Sequence, residues 1–107
     1  MEKTIEEISM GLIANSGESR TLAFEALDKA EKGDYEEASF LMKKSNDSFV
    51  TAHKIQTELL SMEAQNKRID INVLLVHAQD HLMSSMLARE LIEKLINMHE
   101  KIDALNN

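Results

Sequence analysis

Residues 73–105 read VLLVHAQDHLMSSMLARELIEKLINMHEKIDAL, and this stretch decides the architecture. Its apolar residues recur at helical spacing, and they do so twice. One stripe runs through Val73, Val76, Met83, Leu87, Leu91, Leu95, Met98, Ile102 and Leu105, with Asp80 set into it. A second runs through Leu75, Ala78, Leu82 and Met86 and, further round, Ile92 and Ile96. A helix at the edge of a three-helix bundle needs only one apolar face. Two faces predict burial on both sides, and therefore self-association.

Upstream, the pattern predicts two more helices. Thr4 with Glu7 forms a capping box, so a first helix starts near Ile5. Its stripe is Ile5, Ile8, Leu12, Ala23, Ala26 and Ala30, with Ser16 and Ser19 between. Gly11, Ala14, Ser16 and Gly17 allow another backbone close, or leave room for a ligand or partner near Gly17. Gly33 ends this helix, and Asp34 caps a second with Glu37 three residues on. That helix runs from Tyr35 to about Glu63, with its stripe on Ala38, Leu41, Ser45, Ser48/Phe49, Ala52, Gln56 and Leu59. Residues 65–70 are polar and aperiodic, a loop. Asp70 or Asn72 caps the third helix. Long helices on short connections make an all-α, antiparallel three-helix bundle.

Composition agrees. The 107 residues suit one domain, are 43% hydrophobic and 29% charged, and contain no proline and three glycines. With aromatics at 4%, a sandwich or barrel lacks its strand and turn residues. A net charge of −7 argues against nucleic-acid binding, which needs clustered Lys and Arg. The absence of cysteine fits a reducing cytoplasm. The opening residues have no apolar signal segment, and no apolar run is long enough to span a membrane.

His77, Asp80, His81 and Ser84 stand at i, i+3, i+4 and i+7 and share one helix face. A lone buried carboxylate is costly unless paired, protonated or bound to a cation. For Asp80, one reading is that three copies converge on the axis of a cyclic trimer, sharing protons or a hard divalent cation such as Mg²⁺. The other is an exposed acid paired with a neighbouring Lys or Arg. For the histidines, three readings stand on the residues alone. An H-x-x-x-H pair can grip zinc, and a zinc-dependent hydrolase would use His77, Asp80 and His81. Ala78, however, stands where a zinc enzyme has its glutamate. A neutral imidazole can instead accept a phosphoryl group, with His77 leaning back toward the N–H groups of the first turn. Both histidines can also be purely structural, in a helical adaptor without chemistry. His53 suits packing or hydrogen bonding near Gln56, His99 faces solvent, and Met83 and Met86 fill core.

The block Val76-His77-Ala78-Gln79-Asp80-His81-Leu82-Met83 resembles the signature of the enzyme IIA component of the lactose/cellobiose class of the bacterial sugar phosphotransferase system. So do Gly11-Leu12-Ile13, Asn15-Ser16-Gly17, Ser19-Arg20, Gly33-Asp34-Tyr35, Ala52-His53, Gln56-Thr57 and Leu87-Ala88-Arg89-Glu90-Leu91. The resemblance covers nearly the whole chain and implies a single domain of this type over residues 1–107, assembled as a homotrimeric nine-helix bundle. It implies a cytoplasmic phosphotransferase that takes phosphate from HPr on Nε2 of His77. The IIB cysteine then receives it, for a disaccharide entering through membrane component IIC. By the same resemblance Asp80 and its two symmetry copies hold one Mg²⁺, and Gln79 and His81 flank the phosphorylated imidazole. No cofactor-binding residue is expected beyond these. Alanine after His77, where the lactose branch more often has glycine, points to the cellobiose/chitobiose branch, a lactose-type carrier being the alternative.

Overall fold

A computed structural model describes residues 3–106, which form α1 (Ile5–Glu31), α2 (Tyr35–Ala64) and α3 (Val73–Asn106). Residues 1, 2 and 107 of the expected domain lie outside the described residues. The helix ends follow from local chemistry. Thr4 Oγ1 accepts from Glu7 N at 3.1 Å, and Asp34 Oδ1 accepts from Glu37 N at 3.1 Å, each satisfying a first-turn donor. At the start of α3, Asn72 rather than Asp70 is the cap, its Oδ1 accepting from Leu75 N at 2.9 Å.

Both interhelical turns begin with the same device. Gly33 has φ +82°, Gly33 N donates to Ala30 O at 2.9 Å, and Asp34 N donates to Lys29 O at 2.9 Å. Asn66 repeats it at φ 62°, with Asn66 N on Glu63 O at 3.0 Å and Lys67 N on Met62 O at 3.1 Å. A left-handed residue turns the chain while the last carbonyls of the helix keep donors.

The molecule is a rod of 59 × 21 × 19 Å in which α1 packs along both other helices while α2 and α3 touch each other much less. Two apolar cores lie along it. One joins Ile8, Leu12, Ala52, Ile55, Leu59, Leu75, Ala78 and Leu82; the other joins Ala23, Ala26, Ala30, Ala38, Leu41, Ile92 and Ile96. Between them lies a waist of buried serines at 16, 19, 45 and 85. There Ser19 Oγ donates to Ser45 O at 2.9 Å, and Ser45 Oγ donates to Ser19 O at 2.6 Å. Small side chains let α1 and α2 approach, and the reciprocal bonds offset the cost of burying the Ser19 and Ser45 hydroxyls, whereas those of Ser16 and Ser85 have no partner among the described residues. Gly11 serves the same approach, since a Cβ there would stand 3.1 Å from Ile55 Cδ1. Gly17 is different: a Cβ would meet nothing within 4 Å.

The two stripes of α3 separate as their spacing predicts. Leu75, Ala78, Leu82, Ile92 and Ile96 are buried, with Met86 half-buried. The other stripe faces outward, with exposures from 47% at Leu95 to 85% at Leu105. Its steps run 3-4-3-4-4-4-3-4-3 from Val73 to Leu105, including Asp80, close to the straight 3.6-residue period.

Three expectations are corrected. In α2, Ile55 rather than Gln56 fills the core, because it faces Gly11. Met83 lies in the exposed row instead of the core of this chain. His99 is not a solvent-facing residue: α3 runs past the start of α2, and Tyr35 Oη meets His99 Nδ1 at 2.9 Å while donating its proton to Asp103. The phenol's single proton goes to the carboxylate, so His99 Nδ1 is the donor in the other bond. Lost hydration, then the hydrogen bond to Asp103 and the charges of Asp103 and Glu100, push the Tyr35 phenol up to about 12.

Two stability predictions follow from these contacts. Gly33→Ala, placing a Cβ at positive φ, should cost roughly 1–2 kcal/mol, whereas Asn66→Gly should be neutral or stabilising; urea midpoints check both. A folded phenol titrating above the unfolded value of about 10 contributes stability that is present below pH 10 and lost as pH rises toward 12. Tyr35→Phe should remove that alkaline loss, measured by helical circular dichroism across pH 9–12.

Candidate functional site

The polar cluster predicted from its spacing is assembled on one side of α3, two turns from its start. His77 is exposed and His81 half-buried. Their rings meet edge to face with centroids 4.6 Å apart, and His77 Nε2 lies 3.1 Å from His81 Nε2. The i, i+4 spacing brings the rings together, because a helical side chain leans toward the preceding turn. This contact takes the place of the one expected with the first-turn N–H groups, of which Leu75 N is held by Asn72. Asp80 is exposed and accepts from Ser84 Oγ at a long 3.4 Å. It stands in the outward row between Val76 and Met83, so a carboxylate interrupts an otherwise apolar surface.

Gln79 is not beside His77 within the chain. Two residues along a helix is a turn of about 200°, and Gln79 is directed at α2, where Gln56 Nε2 donates to its Oε1 at 2.9 Å. His53 is exposed on α2 and touches Phe49, centroids 6.0 Å apart, away from this cluster.

Chemically, the imidazole pair offers one nucleophile. Two Nε2 atoms at 3.1 Å share a single proton: one donates and the other presents a lone pair. With the proton on His81, His77 holds its own on Nδ1 and its Nε2 lone pair accepts from His81; an electrophile takes that lone pair as the hydrogen bond moves off it. Among the described residues, no three of His, Cys, Asp or Glu gather into a metal-binding set, so His77, Asp80 and His81 of one chain do not form a zinc site.

Beside the cluster, on the Gln79 side, an apolar groove of about 480 Å³ is lined by residues including Leu60, Ile69, Ile71, Val76 and Gln79. The sequence reading missed it. Ile69 and Ile71 were its signal, two large apolar residues at the end of an otherwise polar loop. No helix of the described residues is long and apolar enough to cross a membrane.

Comparison with known proteins bears on this geometry. The profile of the family described as the lactose/cellobiose-specific IIA subunit of the PTS system matches residues 7–100. The chain is 49% identical over 100 residues to the N,N'-diacetylchitobiose-specific EIIA component of Escherichia coli K12, covering 94% of this chain and 86% of that protein. Its fold matches the crystal structure of the cellobiose-specific enzyme IIA from Bacillus anthracis with a TM-score of 0.92 and 42% identity, over 97% of this chain and 95% of that one. It also matches the IIA(chitobiose) chain of a complex with HPr from E. coli, TM-score 0.82 and 46% identity, over 95% and 99% of the two chains. With the family profile spanning nearly all of α1 through α3 and the site block inside it, the chain belongs to the lactose/cellobiose-specific IIA family of the phosphotransferase system.

Proposed function

We propose that this chain is the phosphoryl carrier of a sugar phosphotransferase system, accepting phosphate from HPr on Nε2 of His77 and passing it to the cysteine of a IIB component. The observation that carries this reading is the Nε2···Nε2 contact of 3.1 Å between His77 and His81 inside the family's signature block. In acceptance, an N–P bond forms at His77 Nε2 as the donor's N–P bond breaks, and no net proton is consumed. His81 Nε2–H is placed to hydrogen-bond first the lone pair and then the phosphoryl oxygens, a donor that costs no reorganisation. The N–P linkage stays labile, so onward transfer to a thiolate needs only an aligned acceptor and excluded water. The exposed apolar residues beside the start of α3 and outside its outward row, Leu60 and Ile71, suit docking of a partner that shuts water out.

The same reading makes the working unit a homotrimer, nine helices in all. Nine exposed apolar side chains in a row need a partner surface, and the family resemblance supplies it as the same row on two further copies around a threefold axis. In a cyclic assembly one flank of each α3 meets the opposite flank of the next. The flank carrying His77 and His81 then faces the flank carrying Gln79, so Gln79 reaches the imidazole from the adjacent copy. Asp80, in the middle of the row, comes together with its two counterparts. A set of carboxylate oxygens only, at a threefold axis, fits a hard cation, and Asp80 from the three chains would hold one Mg²⁺ as a neutralising charge in the interface. The cell compartment is the cytoplasm, where the donor and acceptor proteins meet this carrier.

The transported sugar is of the chitobiose/cellobiose type. The support is the identity to the chitobiose-specific protein and the fold match to the cellobiose-specific one. A zinc hydrolase lacks its ligand set in this chain, and an inert adaptor leaves the histidine pair without a purpose.

With phosphoenolpyruvate, the upstream kinase and HPr, the wild type should become labelled and His77→Ala should not; a fully labelled His77→Ala ends the assignment. His81→Leu should slow acceptance about 10²-fold by removing one preorganised donor, with His81→Gln recovering part of the rate in rapid-quench measurements. Asp80→Leu should retain or strengthen the trimer, since an apolar residue removes three buried charges. Native mass spectrometry reads this directly, and a monomeric Asp80→Leu would contradict an axial Asp80.

A further inference from the structure

α2 and α3 diverge along the half of the rod remote from His77, leaving a cavity of about 470 Å³ between them. That is the size of a small-molecule site. Arg89 reaches into it from α3 with a side chain only 16% exposed. The guanidinium carbon lies 5.1 Å from the Phe49 ring centroid, within cation–π range. Nη1 lies 3.8 Å from Glu93 Oε2, beyond hydrogen-bond range, and the buried Nε has no acceptor among the described residues. A mostly buried guanidinium that lines a cavity and has only a long ion pair with Glu93 can serve as a charge-assisted donor to a carboxylate or phosphate there.

The rest of the cavity is graded in charge. Lys43 and Asn46 of α2 line it together with Arg89, and since α2 runs antiparallel to α3 they share its level. Tyr35, Asn97 and Glu100 line it two to three turns further along α3. A polyanion would be repelled by Glu93, Glu100 and a net charge of −7. A molecule with one anionic head and donors at its other end matches both ends.

We propose that this α2–α3 cavity is a second binding site, for a small dipolar metabolite whose carboxylate or phosphate head is held by Arg89, Lys43 and Asn46. Its hydroxyl or ammonium tail is received by Asn97 and Glu100. The site shares no residue with the phosphoryl-acceptor cluster.

The test is an ¹H–¹⁵N NMR titration of the assembled protein with glucosamine 6-phosphate and γ-aminobutyrate as dipolar probes of the two head groups, and with glucosamine and inorganic phosphate as the separated halves. At least one dipolar probe should give saturable shifts at Lys43, Asn46, Arg89 and Asn97, with the halves binding about tenfold or more weakly, the loss of one charge-assisted contact. Lys43→Ala, at the exposed rim, and Glu100→Gln should each weaken binding similarly, Arg89→Gln should abolish it at unchanged native mass, and His77→Ala should leave it intact. The proposal is overturned if no probe saturates at millimolar concentration, or if shifts map to the start of α3. It also fails if Lys43→Ala and Glu100→Gln bind as the wild type does, or if Arg89→Gln breaks up the assembly, which would make Arg89 the partner of a carboxylate on a neighbouring copy.

Discussion

The constraint on which the rest depends is that α3 carries apolar side chains on two faces and the chain supplies cover for one. Leu75, Ala78, Leu82, Ile92 and Ile96 find their places against α1 and α2. Val73, Val76, Leu87, Leu91, Leu95 and Ile102 do not, and an exposed apolar row along most of a 34-residue helix is far more than a solitary subunit needs. The arrangement of the other two helices serves this one. α1 is built from Ala and Ser where it crosses its neighbours, so α3 packs deeply on it while its outer face stays bare.

The chemistry sits at the margin between those two faces. His77 and His81 lie on the flank of the outward row, and Asp80 lies within it. A helix holds such groups at fixed separations, here 3.1 Å between the two Nε2 atoms, without any loop having to close. For a carrier this is an economical design: the donor and acceptor proteins bring the reacting partners, and the subunit contributes one rigid nucleophile with one proton donor beside it. Other polar residues of α3 face away from it: Arg89, Glu93, Asn97 and Glu100 toward the cavity, and His99 and Asp103 toward Tyr35.

Legibility in the sequence followed the range of the interactions. Thr4, Gly33 and Asp34 announced helix ends because caps and left-handed turns are satisfied within four residues of chain. The pairing of His77 with His81 was readable for the same reason, as was the division of α3 into two stripes. Ile55 was passed over for Gln56, since both fall within the same broad stripe and only the absence of a side chain at Gly11 selects between them. His99 looked solvent-facing beside Glu100 and Lys101, but Tyr35, 64 residues away, hydrogen-bonds it and leaves it half-buried. Gln79 stands on the flank opposite His77 within the chain, bonded to Gln56, so any contact it makes with an imidazole is one between copies and lies beyond the pattern of a single helix.

By itself, then, the sequence determined what local physics controls: three helices, their ends, the apolar faces, the histidine pair, and through its signature block the family. The tertiary structure decided which residues of different helices meet. It turned Gln79 to α2, clamped the end of α3 through Tyr35, and left a cavity between α2 and α3 that Arg89 lines. Those outcomes depend on interhelical distance and rotation, and a periodic pattern along one helix leaves both undetermined.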